Sequence, residues 1–162
     1  AAIPFFLPTS EAEVGLFADA LSDGETLMRR AEAAGHPFAI EAMCVALGYT
    51  YARRGVASQA IALLERGIKL CQTYDLAIQM PWTTSSLGMA YALAGRYEEA
   101  AAYAQEAVRR GDELRLTRYQ PLRTTLLANV YLLAGRREAM NGTLLILAAI
   151  ITAYFVFIRA AI

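Results

Sequence analysis

The chain has a single histidine, His36, in the turn-like stretch "AAGHPF". No Cys, Ser or carboxylate motif accompanies it, so it reads as a turn or helix-start residue rather than a general base. The two cysteines, Cys44 and Cys71, stand at apolar positions of expected helices, with no CxxC and no His neighbour. They read as small buried hydrophobes, not as a disulfide or metal ligands. The sequence contains no GxGxxG, no GxxxxGK[ST] and no HExxH. Its carboxylates are scattered: Glu65, Glu98 and Glu99, Glu106, Asp112 and Glu113. On helices they form a solvated face with i,i+4 partners, such as Glu106 with Arg110. The expectation is therefore no catalytic residue, no metal, no cofactor and no enzymatic activity in this chain by itself. Nucleic acid is not an expected partner either. Lys+Arg and Asp+Glu both number 15, and "AVRRGDELRLTR" is mixed in sign, whereas phosphate binding needs a basic surplus or stripe.

What positions these residues is a repeat. Gly15, Gly55, Gly95 and Gly135 recur at one constant spacing, opening "GLFADA", "GVASQA", "GRYEEA" and "GRREAM". Upstream, "LGYTYARRG", "LGMAYALAG" and "LANVYLLAG" align. Leu47, Leu87 and Leu127 share one slot, Gly48, Gly88 and Ala128 the next, and Tyr51, Tyr91 and Tyr131 a third. Ala20, Ala60 and Ala100 share another, which Met140 fills last. Each unit reads as a first helix whose small residue admits a neighbouring backbone. Its Tyr buries a ring and needs a hydroxyl partner, and its Gly ends it as a left-handed cap. An amphipathic second helix such as "QAIALLERGIKLCQTY" follows. Expected helices cover 16–33, 38–54, 58–74, 82–94, 97–114, 121–134 and 136–161. Pro37, Pro81 and Pro121 stand at or near first-helix starts, where a missing N–H costs nothing. "AAIPFFLPT" (1–9) reads as an extended apolar segment with two prolines. It is too short for a secretory core and has no basic flank. "SEAE", Ser10 to Glu13, reads as a capping box.

The small residue, Tyr and Ala at these offsets resemble the tetratricopeptide repeat. Gly48/Tyr51/Ala60 and Gly88/Tyr91/Ala100 match it fully, and Ala128/Tyr131 match in part. The family's Trp slot is filled instead by Cys44, Thr84 and Thr124. The 40-residue period exceeds the usual ~34. It is similar to the long-period repeats at the C-termini of bacterial adenylate cyclase-like and transcriptional-activator signalling proteins. The resemblance covers roughly 11–140. It implies an all-α, right-handed solenoid of helical hairpins, with units near 10–36, 37–75, 81–115 and 121–139 inside a repeat domain at 10–139. It also implies a peptide-binding concave face supplied by first helices: Tyr49 and Arg53, then Trp82, Ser85 and Met89, then Thr125 and Asn129. Trp82 has an alternative role, packing at a helix start. Without a Lys/Arg cluster, such a face should prefer apolar or mixed partners.

A soluble solenoid needs polar terminal caps, and this chain shows none. Apolar residues make up 57% of it, and the mean hydropathy is +0.34. From Met140 to Ile158 there is no charge over 19 residues. As helix that run measures about 28 Å, against a hydrocarbon thickness of ~30 Å. A transmembrane helix is expected at 140–162, spanning through Leu144, Leu145, Ile146, Leu147, Ile150, Ile151, Tyr154, Phe155, Val156, Phe157 and Ile158. Tyr154, Phe155 and Phe157 would sit at an interfacial belt, with Arg159 beyond them. The alternative is a helix buried by further repeats or by an oligomer. Arg118, Arg123, Arg136 and Arg137 precede the run and only Arg159 follows, which favours a cytoplasmic repeat domain.

Two functions remain open on sequence alone. One is a non-enzymatic, single-pass protein of the bacterial inner membrane. It would be a scaffold or accessory subunit of a larger complex, such as an energy-transducing one, with other proteins and the lipid bilayer as partners. The other is a soluble regulatory or sensory module of a cyclase- or activator-type signalling protein.

Overall fold

A computed structural model describes residues 6–117 and 120–135 of the chain, with Pro121 and Leu122 described in backbone alone. Among the described residues the protein is all-α. Its seven helices are α1 (Phe6–Glu13), α2 (Phe17–Ala33), α3 (Pro37–Arg53), α4 (Ala57–Thr73), α5 (Met80–Leu93), α6 (Tyr97–Glu113) and α7 (Gln120–Leu133). The six that fall on expected spans begin and end within two residues of them. The seventh expected span, 136–161, lies outside the described residues, as does the apolar run from Met140 to Ile158. Among the described residues no helix is long and apolar enough to cross a membrane.

The helix ends have simple causes. Gly15, Gly55, Gly95 and Gly135 all adopt positive φ, from 69° to 85°. That is the left-handed conformation that releases the chain from a helix at least cost to glycine. Pro37 opens α3 and Pro81 lies in the first turn of α5, where no intrahelical N–H bond is lost. The N-terminal segment differs from its expectation. Residues 6–9 are helical, not extended, and Ser10 lies inside α1 rather than capping the next helix. Pro8 is only the third residue of α1, and a helix leaves its first four N–H groups unbonded in any case. The proline that looks like a breaker is therefore tolerated there. Glu13 is the last residue of α1 rather than a capping partner of Ser10.

Neighbouring helices pack in sequence, α1 on α2 through α6 on α7. The odd-numbered helices also contact one another in series: α1 with α3, α3 with α5 and α5 with α7. Each hairpin thus lays its first helix beside the first helix of the next. The main apolar core runs through α3 to α7 and includes Leu64, Leu87, Tyr91, Ala104, Leu127 and Tyr131. A smaller cluster of Leu27, Met28, Met43, Cys44, Ala46 and Leu47 joins α2 to α3. At the small-residue slot the two helices of a hairpin approach closely. A Cβ on Gly88 would lie 3.0 Å from the carbonyl oxygen of Ala100 and 3.1 Å from the amide nitrogen of Ala104. A Cβ on Gly48 would lie 2.7 Å from Leu64 Cγ.

Candidate functional site: the exposed rows of the first helices

The residues expected on a binding face do not all reach solvent. Ser85 is 0% exposed, and its hydroxyl donates 3.0 Å to the Trp82 carbonyl oxygen inside α5. It is a core residue, and its assignment to a binding face is corrected accordingly. Its equivalent in the preceding repeat, Val45, is also buried, whereas Thr125 on α7 is half-buried. Tyr49, Arg53, Trp82, Met89 and Asn129 are likewise half-buried. Trp82 packs its ring against the main core, so its alternative role at a helix start is in part realised.

Tyr49 and Arg53 converge on one carboxylate, Glu13 at the end of α1. The Tyr49 hydroxyl donates to Glu13 Oε1, and Arg53 Nη2 stands 3.5 Å from Glu13 Oε2. Burial and the adjacent carboxylate push the Tyr49 phenol well above its ordinary value. These two residues therefore tie α3 to α1 before they meet any ligand.

Register explains what lies beyond them. Glu13, Arg53, Leu93 and Leu133 are successive members of one repeat slot, and Tyr49, Met89 and Asn129 of another. Leu93 and Leu133 are 43% and 44% exposed, high for leucine at a helix end. The face thus changes character along the array. It is ionic and internally paired at α1 and α3, and apolar with one amide at α5 and α7. Leu93 and Leu133 are not among the expected binding residues. The signal that could have found them is their shared slot with Arg53.

Two of the three tyrosines in the repeat slot, Tyr91 and Tyr131, find a hydroxyl partner across the hairpins. The Tyr91 hydroxyl donates 2.8 Å to Glu65 Oε1 on α4, 26 residues upstream. Gln105 Nε2 on α6 donates 2.6 Å to the Tyr131 hydroxyl, again 26 residues apart. Both bonds cross from one hairpin to the next. Tyr91 also stacks on Tyr103, with ring centroids 5.3 Å apart, and lies beneath the Arg96 guanidinium at 4.2 Å. Burial, with the Glu65 carboxylate adding to it, pushes the Tyr91 phenol up to about 12.

The residue types best suited to chemistry occupy structural places. His36 is the exposed N-cap of α3, with its ring edge-on to Phe38 at 6.3 Å. Cys44 and Cys71 are buried free thiols, and burial pushes both up to about 12. Glu106 on α6 takes Arg109 and Arg110, the latter at 2.5 Å in the expected i,i+4 pair. Those arginine hydrogen bonds hold its carboxyl down to about 2. Being at the surface, these pairs contribute little stability. Among the described residues no three His, Cys, Asp or Glu side chains converge as a metal cage. Of the arginines that precede the apolar run, Arg123 is buried at 3% exposure and donates 2.7 Å to the Leu116 carbonyl oxygen. Its guanidinium lies against Gly111 and fills the space that a Cβ there would need. Compared with models of known protein families and with curated proteins, the chain has no match.

Proposed function

We propose that the chain is a non-enzymatic, tetratricopeptide-type solenoid that recruits other proteins and is held to a membrane by its C-terminal apolar run. The observation that carries this proposal is the serial contact of first helices, with the exposed leucines Leu93 and Leu133 in register along them and half-buried Met89 one turn before Leu93 on α5. Exposed apolar side chains grouped in register, rather than scattered singly, are the mark of a contact surface. The uncharged stretch from Met140 to Ile158 has the length a bilayer requires. On this proposal the repeats face the cytoplasm at a bacterial inner membrane, as a scaffold or accessory subunit of a larger complex.

A second reading, the soluble regulatory module, draws on Thr125. It is half-buried where its counterparts Val45 and Ser85 are covered, as if a further first helix belonged over α7. Carbonate extraction of membranes separates the two: retention of the chain supports the anchor, and release supports the module. The contact surface is tested by a pull-down in mild detergent with Met89→Glu combined with Leu93→Glu. Loss of co-purified partners with an unchanged melting curve supports recruitment through this row, and undiminished capture refutes it.

A further inference from the structure

Glu41 lies on α3 at the seam between two hairpins, 2% exposed. Among the described residues no cation pairs with it. Its Oε1 is 2.5 Å from Thr83 Oγ1 on α5. The same hydroxyl is 3.1 Å from the Gln79 carbonyl oxygen and 4.0 Å from Cys71 Sγ on α4. The site is tight. A Cβ on Gly67 of α4 would lie 3.0 Å from Thr83 Cγ2 and 3.5 Å from Cys44 Cβ.

A threonine hydroxyl has one proton and cannot donate to Glu41 and Gln79 together. With Glu41 ionised, one of those two contacts lacks a hydrogen. With Glu41 protonated, its O–H donates to Thr83 Oγ1, which donates in turn to the Gln79 carbonyl, and both contacts become bonds. The neutral form also avoids burying an uncompensated carboxylate, which is strongly unfavourable. We infer that Glu41 is a proton-controlled latch between the α3–α4 and α5–α6 hairpins, closed when its carboxyl is neutral and loosened when it ionises.

The surroundings offer ionised Glu41 no cation, only hydrogen bonds from Thr83 and Cys71 that fall short of the cost of burial. From α4 it faces Cys71, from α5 Thr83, and on its own helix Cys44, whose thiols stay neutral near physiological pH. Glu32 of α2 and Arg66 of α4 pair with each other at 2.6 Å on the exposed side. Among the described residues no ion pair joins α1 or α2 to the Glu41 carboxyl. Burial, opposed by the Thr83 and Cys71 hydrogen bonds, pushes that carboxyl from 4.5 up to about 7.

The direction of the pH effect follows. The folded chain holds this proton more tightly than the unfolded chain. Its contribution is fully present below pH 4.5 and is lost as pH rises through about 7. Between pH 5 and pH 8 the folding equilibrium constant should fall about 70-fold from this group alone.

The test uses the whole chain in mild detergent, unfolded with urea at pH 5 and pH 8, beside Glu41→Gln, which keeps the shape and cannot ionise. The wild-type folding constant relative to that of the variant should fall about 70-fold between the two pH values. A fall smaller than about eightfold, the value that a midpoint of 6 would give, overturns the latch, and a larger one supports it. The Glu41 carboxyl carbon, followed by NMR in the native wild type, needs no variant and decides the matter if Glu41→Gln does not fold. A midpoint above 6 supports the latch, and a midpoint at or below 6 overturns it.

Discussion

Arg115→Gly should stabilise the protein, although it deletes an entire side chain. Arg115 is exposed and follows α6 with φ 52°. An L-residue held in the left-handed region loses roughly 1–2 kcal/mol to contact between its Cβ and the following carbonyl. Glycine escapes that cost but loses more chain entropy on folding, roughly 0.5–1 kcal/mol relative to alanine. The net gain should be about 0.5–1 kcal/mol. Two further members of the same slot supply controls. Asp75, one repeat upstream, has φ 51°, and Gly35, one repeat before that, has φ 58°. Asp75→Gly should gain less, a few tenths of a kcal/mol, because a short polar side chain tolerates this conformation better than arginine does. Gly35→Ala should lose about 1 kcal/mol although a Cβ there meets nothing within 4 Å. All three positions are exposed, so packing does not confuse the comparison. Urea unfolding of the series at one pH, with unchanged m-values, reads the differences directly. If Arg115→Gly proves destabilising while Gly35→Ala is neutral, left-handed geometry is not what these loops demand, and the reasoning fails.

Other outcomes follow from named contacts. Tyr91→Phe should cost about 0.5–1.5 kcal/mol, since it removes the cross-hairpin donor to Glu65, an exposed carboxylate that water can then solvate, and a chemical denaturation midpoint would show it. Glu65→Gln should restore less than half of that loss in the Tyr91→Phe background, since the partner hydroxyl is gone. Cys44 and Cys71 should resist a thiol reagent at pH 8 in the native chain and react fully in denaturant. With both pushed up to about 12, only about one in ten thousand is thiolate at that pH. Rapid native labelling would contradict their burial.

The helix plan is legible in the sequence because its punctuation is local. Glycines at 15, 55, 95 and 135 mark left-handed ends, and prolines mark starts, so six boundary pairs fall within two residues. The second loop slot is hidden for a physical reason. Gly35, Asp75 and Arg115 share a backbone state but not a residue type, and only the backbone state repeats. Helix α1 is hidden because Pro8 resembles a breaker until its place in the first turn is known. Ser85 falls on a binding face only by analogy of position. Its burial depends on how α5 is enclosed by its neighbours, which no single unit encodes. Glu41 is the hardest case. Pro81 and Pro121 occupy its slot in the next two repeats, so nothing in the repeat forewarns of a carboxyl there. Only the assembled seam of α3, α4 and α5 makes it unusual.

The cross-hairpin tyrosine hydroxyl gives to Glu65 in one case and accepts from Gln105 in the other. A phenol that can play either part makes its counterpart chemically permissive. One repeat position thus serves a carboxylate at one seam and a neutral amide at the next, so the outer edge differs in charge from one hairpin to another while the same ring slot bridges both.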